Sequence, residues 1–98
     1  MIYVIEFERS LGNPQHRNGT AKFYVGYCED DRIEQRLQEH RRGDGAAITR
    51  AAVHASIDFK VVMTIPGDRK VERQLKRQKN TPRIVRRFRE GKVWQPKA

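Results

Sequence analysis

The sequence predicts a small α/β sandwich: a central three-stranded antiparallel sheet flanked by helices, in the order β-β-α-α-β-α-α. Three observations carry that expectation. Segments 2–8, 21–28 and 57–64 are rich in β-branched and aromatic residues. The stretches between and after them place apolar residues three or four apart, the spacing of a helix face. With 98 residues, 37% apolar and 34% charged, the chain has material for one small core, so residues 1–98 are expected to form a single domain.

In order, strand 2–8 alternates Tyr3, Ile5 and Phe7 on one face with Ile2, Val4 and Glu6 on the other. Residues 9–20 hold Gly12, Asn13, Pro14, Asn18 and Gly19 and read as a loop, long for a hairpin. Strand 21–28 follows and pairs antiparallel with the first as its neighbour in sequence. Asp31 with Glu34 reads as a capping arrangement for a helix that runs to about Arg42 and stops at Gly43, with Ile33 and Leu37 as its buried stripe. After a Gly-Asp-Gly turn, the alanine-rich 46–55 forms a short second helix. The third strand ends at Pro66-Gly67, and helix 68–79 buries Val71 and Leu75. Thr81 caps the last helix, Pro82 takes its first position, where a missing N–H costs nothing, and Ile84, Val85 and Phe88 face the core. Gly91 ends it, and 92–98 is a loose tail apart from Trp94, read as a lid on the core.

Charge is segregated. The net charge is +9, yet residues 1–68 carry −1 and residues 69–98 carry +10. A basic block of this kind implies a polyanion partner, nucleic acid before any other. Arg73, Lys76, Arg77, Lys79, Arg83, Arg86, Arg87 and Arg89 would hold phosphates without reading sequence. No apolar run is long enough for a membrane span, so no membrane partner is expected. Glu6 and Glu8 interrupt the apolar N-terminal run and no basic segment precedes it, which argues against a signal peptide. The lone Cys28 excludes an internal disulfide and, with three scattered histidines, any zinc-finger spacing; a reducing, cytoplasmic setting is expected.

Against that background five residues stand out in order: Tyr3 and Tyr24 on the first two strands, Arg36 and His40 one helical turn apart, and Glu72, a carboxylate inside the basic third. Each alone has an ordinary reading. The tyrosines suit strand packing, Arg36 and His40 suit a solvated helix face, and Glu72 suits an ion pair with Lys76 four residues on. Together they resemble the GIY-YIG nucleases. Ile2-Tyr3 stands at the end of that family's first motif, Tyr24-Val25-Gly26 at its second, and Arg36-Leu37-Gln38-Glu39-His40 with Gly43 is similar to its arginine helix. Thr49-Arg50 resembles the segment that follows in small stand-alone members, and Glu72 with Leu75-Lys76 resembles the metal-binding glutamate helix. Many members carry an asparagine after that glutamate; Asn80 stands too close to Glu72 to inherit the role.

The resemblance implies a metal-dependent endonuclease that hydrolyses DNA phosphodiester bonds with low sequence specificity or a preference for DNA shape. Glu72 would ligate one Mg²⁺ or Mn²⁺, and Arg36 would neutralise the scissile phosphate. Tyr3 or Tyr24 would take the proton of the attacking water, and His40 would relay a proton or bind phosphate. Gly26 would leave room for the DNA backbone. The chain has no room for a recognition domain, so the expectation is weak sequence preference, a preference for a DNA shape, or a partner protein that supplies targeting. The alternative is a catalytically idle module of the same fold that binds DNA or RNA. A basic structural protein of an RNA–protein assembly would explain the charge but not the tyrosine–arginine order.

Overall fold

The computed structural model describes residues 1–12 and 20–95. Its elements are β1 (Ile2–Gly12), β2 (Thr20–Tyr27), a single 3-10 turn (Asp30–Arg32), α1 (Ile33–Arg41), α2 (Ala47–His54), β3 (Phe59–Ile65), α3 (Arg69–Gln78) and α4 (Thr81–Arg89). The three strands form one antiparallel sheet in the order β2-β1-β3, so β1 is central and β2 is an edge. Both the architecture and the element order agree with the sequence reading.

The period-2 alternation of β1 divides the molecule into two cores. Tyr3, Ile5, Phe7 and Leu11 pack with Cys28, Ala52, Ile57 and Phe59, against Ile33 and Leu37 of α1 and Ile48 and Val53 of α2. Ile2 and Val4 pack on the opposite face with Val25, Met63 and Ile65, covered by Leu75 of α3 and Ile84 and Val85 of α4. Leu75 is fully buried. Burial of such a side chain contributes about 1.5–3 kcal/mol, which makes it the anchor of α3.

Several local expectations are corrected. The first strand does not stop at residue 8. It continues to Gly12, and its ladder with β2 resumes at Leu11↔Ala21 after a register shift. Of the loop expected over 9–20, residues 13–19 lie outside the described residues, as do 96–98 of the tail. β3 begins at Phe59 rather than at residue 57, although Ile57 is buried just before it. Neither the 3-10 turn nor α1 has a side-chain cap, so the Asp31–Glu34 arrangement does not form. Asn80, not Thr81, occupies the N-cap position of α4, and Thr81 is already helical. Ile33 and Leu37 are only half-buried; the fully buried residue of α1 is His40. Phe88, expected in the core, lies on the last turn of α4 and is 36% exposed. A start signal that sequence reading passed over is Asp68, whose carboxylate accepts from the backbone N–H groups of Lys70 and Val71 at 3.0 and 3.2 Å and so caps α3.

Candidate active site

Tyr3 and Tyr24 are not opposite one another in the β1–β2 ladder. Tyr3 faces Gly26 and Tyr24 faces Ile5, so the two tyrosines are diagonal neighbours on the face that α1 and α2 cover. Their ring centroids are 6.4 Å apart. The His40 ring meets both edge-on, at 5.8 Å from Tyr3 and 5.5 Å from Tyr24.

Tyr3 lies almost wholly inside, and a Cβ on Gly26 would collide with its ring and hydroxyl. Gly26 therefore makes room for Tyr3, a role its sequence context did not suggest. Gly45 does the same for His40: a Cβ there would strike the imidazole at Nδ1. Two glycines thus let an aromatic ring and an imidazole sit close against backbone.

The Tyr3 hydroxyl is the node of the site. It lies 2.7 Å from His40 Nε2 and accepts from Arg36 Nε at 3.3 Å. Arg36 in turn donates to Glu39 at 2.7 Å. Behind the imidazole, Nδ1 is 2.8 Å from Thr49 Oγ1, which donates to the Ala46 carbonyl at 2.9 Å. A carbonyl only accepts, so the single hydroxyl hydrogen of Thr49 is spent on Ala46. Nδ1 must then carry the imidazole hydrogen and donate it to Thr49. These two short bonds outweigh the 3.4 Å approach of the Ala46 N–H to Nδ1. The network therefore assigns Nε2 as unprotonated, accepting the Tyr3 O–H.

The electrostatics follow from burial. Burial, reinforced by the Arg36 charge, pulls His40 down from 6.5 to about 4. Burial pushes Tyr3 up to about 12, against the opposing hydrogen bond from Arg36. Arg36 is held more firmly protonated than a free guanidinium, first by the Glu39 hydrogen bond and against the cost of burial. At neutral pH the core of the site is a neutral phenol hydrogen-bonded to a neutral imidazole beside a fixed cation. Both shifts disfavour the charged forms, so the proton stays on Tyr3 and the pair rests neutral.

A stability prediction follows. The unfolded chain protonates His40 near 6.5, whereas the folded chain resists until about 4. The buried neutral imidazole therefore contributes stability in full above about pH 6.5, and loses it as the pH falls from there toward 4. The loss amounts to about 3 kcal/mol. Urea denaturation at stepped pH should show this decline in the parent and a clearly shallower one in His40→Gln. Equal slopes would place the titration elsewhere.

Glu72 sits apart from the node. α3 covers the opposite face of the sheet but packs against β2, the edge strand that carries Tyr24. Glu72 is 12% exposed, and its carboxylate lies 3.5 Å from Lys76 Nζ. The same ammonium is 5.8 Å from the centre of the Tyr24 ring. Lys76 thus links the carboxylate to the tyrosine face around the sheet edge. The ion pair read as the ordinary explanation of Glu72 is present, and it stands next to the site. Further along this edge, Arg69 lies over the Tyr27 ring at 5.0 Å. A groove of about 250 Å³ opens there between α1 and the start of α3, lined by Arg32, Arg36, Glu39, Tyr27 and Arg69.

Of the basic residues named for phosphate contact, Arg73, Lys76, Arg77, Lys79, Arg83, Arg86, Arg87 and Arg89 are all exposed. Arg89 is tied to Glu6 at 2.8 Å, which removes it from the freely available set. Sequence reasoning gave no role to Thr49, Glu39 or Gly45. Glu39 was visible as the i,i+3 partner of Arg36; Thr49 was marked only as part of the Thr49-Arg50 resemblance and Gly45 only as a turn residue, because their partner His40 reaches them only after the chain turns back. Cys28 is buried, burial pushes its thiol up, and it contributes packing alone. Trp94 packs against the core as a partial lid, with its N–H donated to Gln78 at 3.0 Å.

The fold is thus a small α/β domain whose three-stranded sheet sets two tyrosines against a histidine and an arginine from one helix, the arginine also lining the neighbouring groove. A family model described as the GIY-YIG catalytic domain matches residues 1–88, and the chain belongs to that family. No curated protein and no solved structure matches it. Family membership points to nuclease activity and so to a nucleic-acid substrate.

Proposed function

We propose that this protein is a divalent-metal-dependent endonuclease that cleaves DNA phosphodiester bonds with little reading of sequence. One observation carries the reading: the Tyr3 hydroxyl held between His40 Nε2 and the Arg36 guanidinium, with the Tyr24 ring packed against the same imidazole. A packing role needs neither a cation nor an unprotonated imidazole at a phenol. Phosphoryl transfer uses the cation, and the imidazole orients the phenol that holds it.

The two tyrosines take different parts. Tyr3 is 1% exposed and already bonded on both sides, so it cannot meet an attacking water directly. Tyr24 is half-buried and opens to solvent, with the Lys76 ammonium beside its ring. Tyr24 is the base. To act as base it must first give up its own proton, and the Lys76 ammonium, 5.8 Å from its ring centre, adds positive charge on that side. The water oxygen forms the new bond to phosphorus as its proton passes to Tyr24; the bond to the leaving oxygen breaks, and that oxygen takes a proton from solvent. Arg36, on the groove wall, has Nε on Tyr3 and Nη1 on Glu39, and its remaining N–H donors, those of Nη2 first, meet the non-bridging phosphate oxygens. His40, locked by Thr49, fixes Tyr3 and through it Arg36.

Among the described residues no three of His, Cys, Asp and Glu converge on one point, so a protein-built metal cage is not the design. The single shielded carboxylate of Glu72, opposed only by an ammonium at 3.5 Å, fits an ion that keeps most of its water shell, Mg²⁺ or Mn²⁺. Such an ion, when bound, supplies Lewis-acid stabilisation of phosphate charge. Glu72 would hold it and Lys76 would yield to it.

The test is a panel of labelled single-stranded, duplex, branched and RNA oligonucleotides with each divalent ion, and the same reactions with EDTA. Cleavage of at least one DNA form should require the ion. Tyr24→Phe should lower it by about 10²-fold or more, the scale of general acid–base catalysis. If no form is cut under any ion, an idle nucleic-acid-binding domain is what remains.

A further inference from the structure

A second cleft lies on the other side of the molecule from the tyrosine face, between the end of α3, α4 and residues 92–94. It measures about 310 Å³ and is lined by Gln78, Asn80, Arg83, Arg87, Lys92 and Trp94. We propose that this cleft binds one unpaired nucleotide of a nucleic-acid strand, taking the base against Trp94 and Asn80 and the phosphate on Arg83, Arg87 and Lys92.

The first observation is an unsatisfied oxygen. Asn80 Oδ1 is the buried side-chain polar atom with no hydrogen-bond partner among the described residues. Its isolation has a local cause. An asparagine at the N-cap position ordinarily accepts from the second or third backbone N–H of its helix. Here the second residue is Pro82, which has none, and the Arg83 N–H is spent on the Asn80 backbone carbonyl at 3.0 Å. Leaving a buried acceptor unpaired costs about 1–3 kcal/mol, and because Asn80 lines the cleft, a turn of its amide toward the opening would relieve that cost by offering the oxygen to a ligand. An N–H on the edge of a base is such a ligand group.

The second observation is charge. Arg83, Arg87 and Lys92 are exposed, and none of them has an ion-pair partner among the described residues. Three uncompensated cations around a cleft favour a phosphate. The third is the indole. Trp94 is half-buried, and its N–H bond to Gln78 fixes the ring in the cleft wall. A fixed indole with part of its surface open is a stacking platform. The volume suits a single nucleotide: it stands at the low end of small-ligand pockets, about 300–1,000 Å³. The cleft would therefore favour single-stranded or flipped-out substrate, and it can do so whether or not the tyrosine site cuts.

Trp94 is the protein's one tryptophan, so its fluorescence reports on the cleft without a label. The experiment titrates the full chain, without divalent ion to prevent cleavage, with a single-stranded DNA 12-mer, the same sequence as a duplex, and a 12-mer containing abasic sites throughout. The single strand should quench Trp94. The abasic strand, with the same phosphates, should bind without comparable quenching, and the duplex should quench little. Asn80→Ala should weaken single-strand binding about five- to ten-fold. Because its side chain holds nothing else, that variant should melt at the parent's temperature or above it. Arg87→Gln should lower the slope of log K against log salt by about 1. Equal quenching by abasic and ordinary strands would overturn the proposal. So would an Asn80→Ala protein that binds as the parent does, or that melts well below it, since the amide would then be bracing the fold.

Discussion

Replacing Glu72 by glutamine is expected to abolish metal-supported strand cleavage while leaving the fold and nucleic-acid binding in place. The substitution keeps the side chain's size and removes the charge that would hold the ion. Its neighbour in the free protein, Lys76, is an exposed ammonium at 3.5 Å, and an i,i+4 pair of that kind contributes only a few tenths of a kcal/mol to stability. Folding therefore gives up little. Cleavage gives up the group that stabilises charge on phosphate, and loss of one such electrostatic partner costs about 10²–10³-fold in turnover. Removing a negative charge from a basic surface should also leave affinity for DNA equal or higher. Lys76→Met provides the opposing control: it frees the carboxylate, so the ion concentration needed for half-maximal cleavage should fall if Lys76 only competes for Glu72. If turnover collapses in Lys76→Met as well, the ammonium acts on Tyr24 directly. A Glu72→Gln enzyme that cuts at the parent's rate would remove the carboxylate from the chemistry.

Much of this molecule was legible in the chain, and the illegible parts share a cause. The alternation in β1 assigned Tyr3, Ile5 and Phe7 to one face, and the two cores divide along that line. The Val71 and Leu75 stripe placed α3 correctly. The end of β1 was missed because Glu8-Arg9-Ser10 is polar and exposed, so side chains fell silent where backbone pairing continued. Phe88 was misplaced because helical spacing gives direction but not depth: one turn beyond Ile84, α4 no longer lies over the sheet core and the ring stays open. The same limit applied to the site. Spacing showed that Arg36 and His40 share a face, yet they divide it by depth, His40 fully buried and Arg36 on the groove wall. Asn80 and Gly26 were legible as residue types at turns and strands. Their roles depend on what Pro82 lacks and on where Tyr3 points, and the second of these exists only once the strands pair.

Gly26→Ala is expected to be one of the most damaging single-methyl changes among the described residues. The added Cβ would overlap the Tyr3 ring and hydroxyl, and that ring has nowhere to go: it is 1% exposed, with β1 fixed between two partners and His40 bonded to its far end. Overpacking of this kind costs about 1–3 kcal/mol, and more where backbone must shift. β2 is the edge strand, so the strain is relieved most cheaply by pushing it outward, and it carries Tyr24 with it. A displacement near 1 Å at a reacting group can cost about 10²-fold in rate. Stability and activity should therefore fall together in Gly26→Ala. The double variant Gly26→Ala/Tyr3→Ala separates them. Removing the ring removes the collision, so the glycine position should become tolerant, with Gly26→Ala costing far less in the Tyr3→Ala background than in the parent. Activity should stay low, because the phenol that His40 and Arg36 hold is gone. Thermal unfolding of the four proteins in this cycle measures the coupling. If Gly26→Ala costs the same in both backgrounds, the glycine serves the backbone of β2 and not the seat of Tyr3.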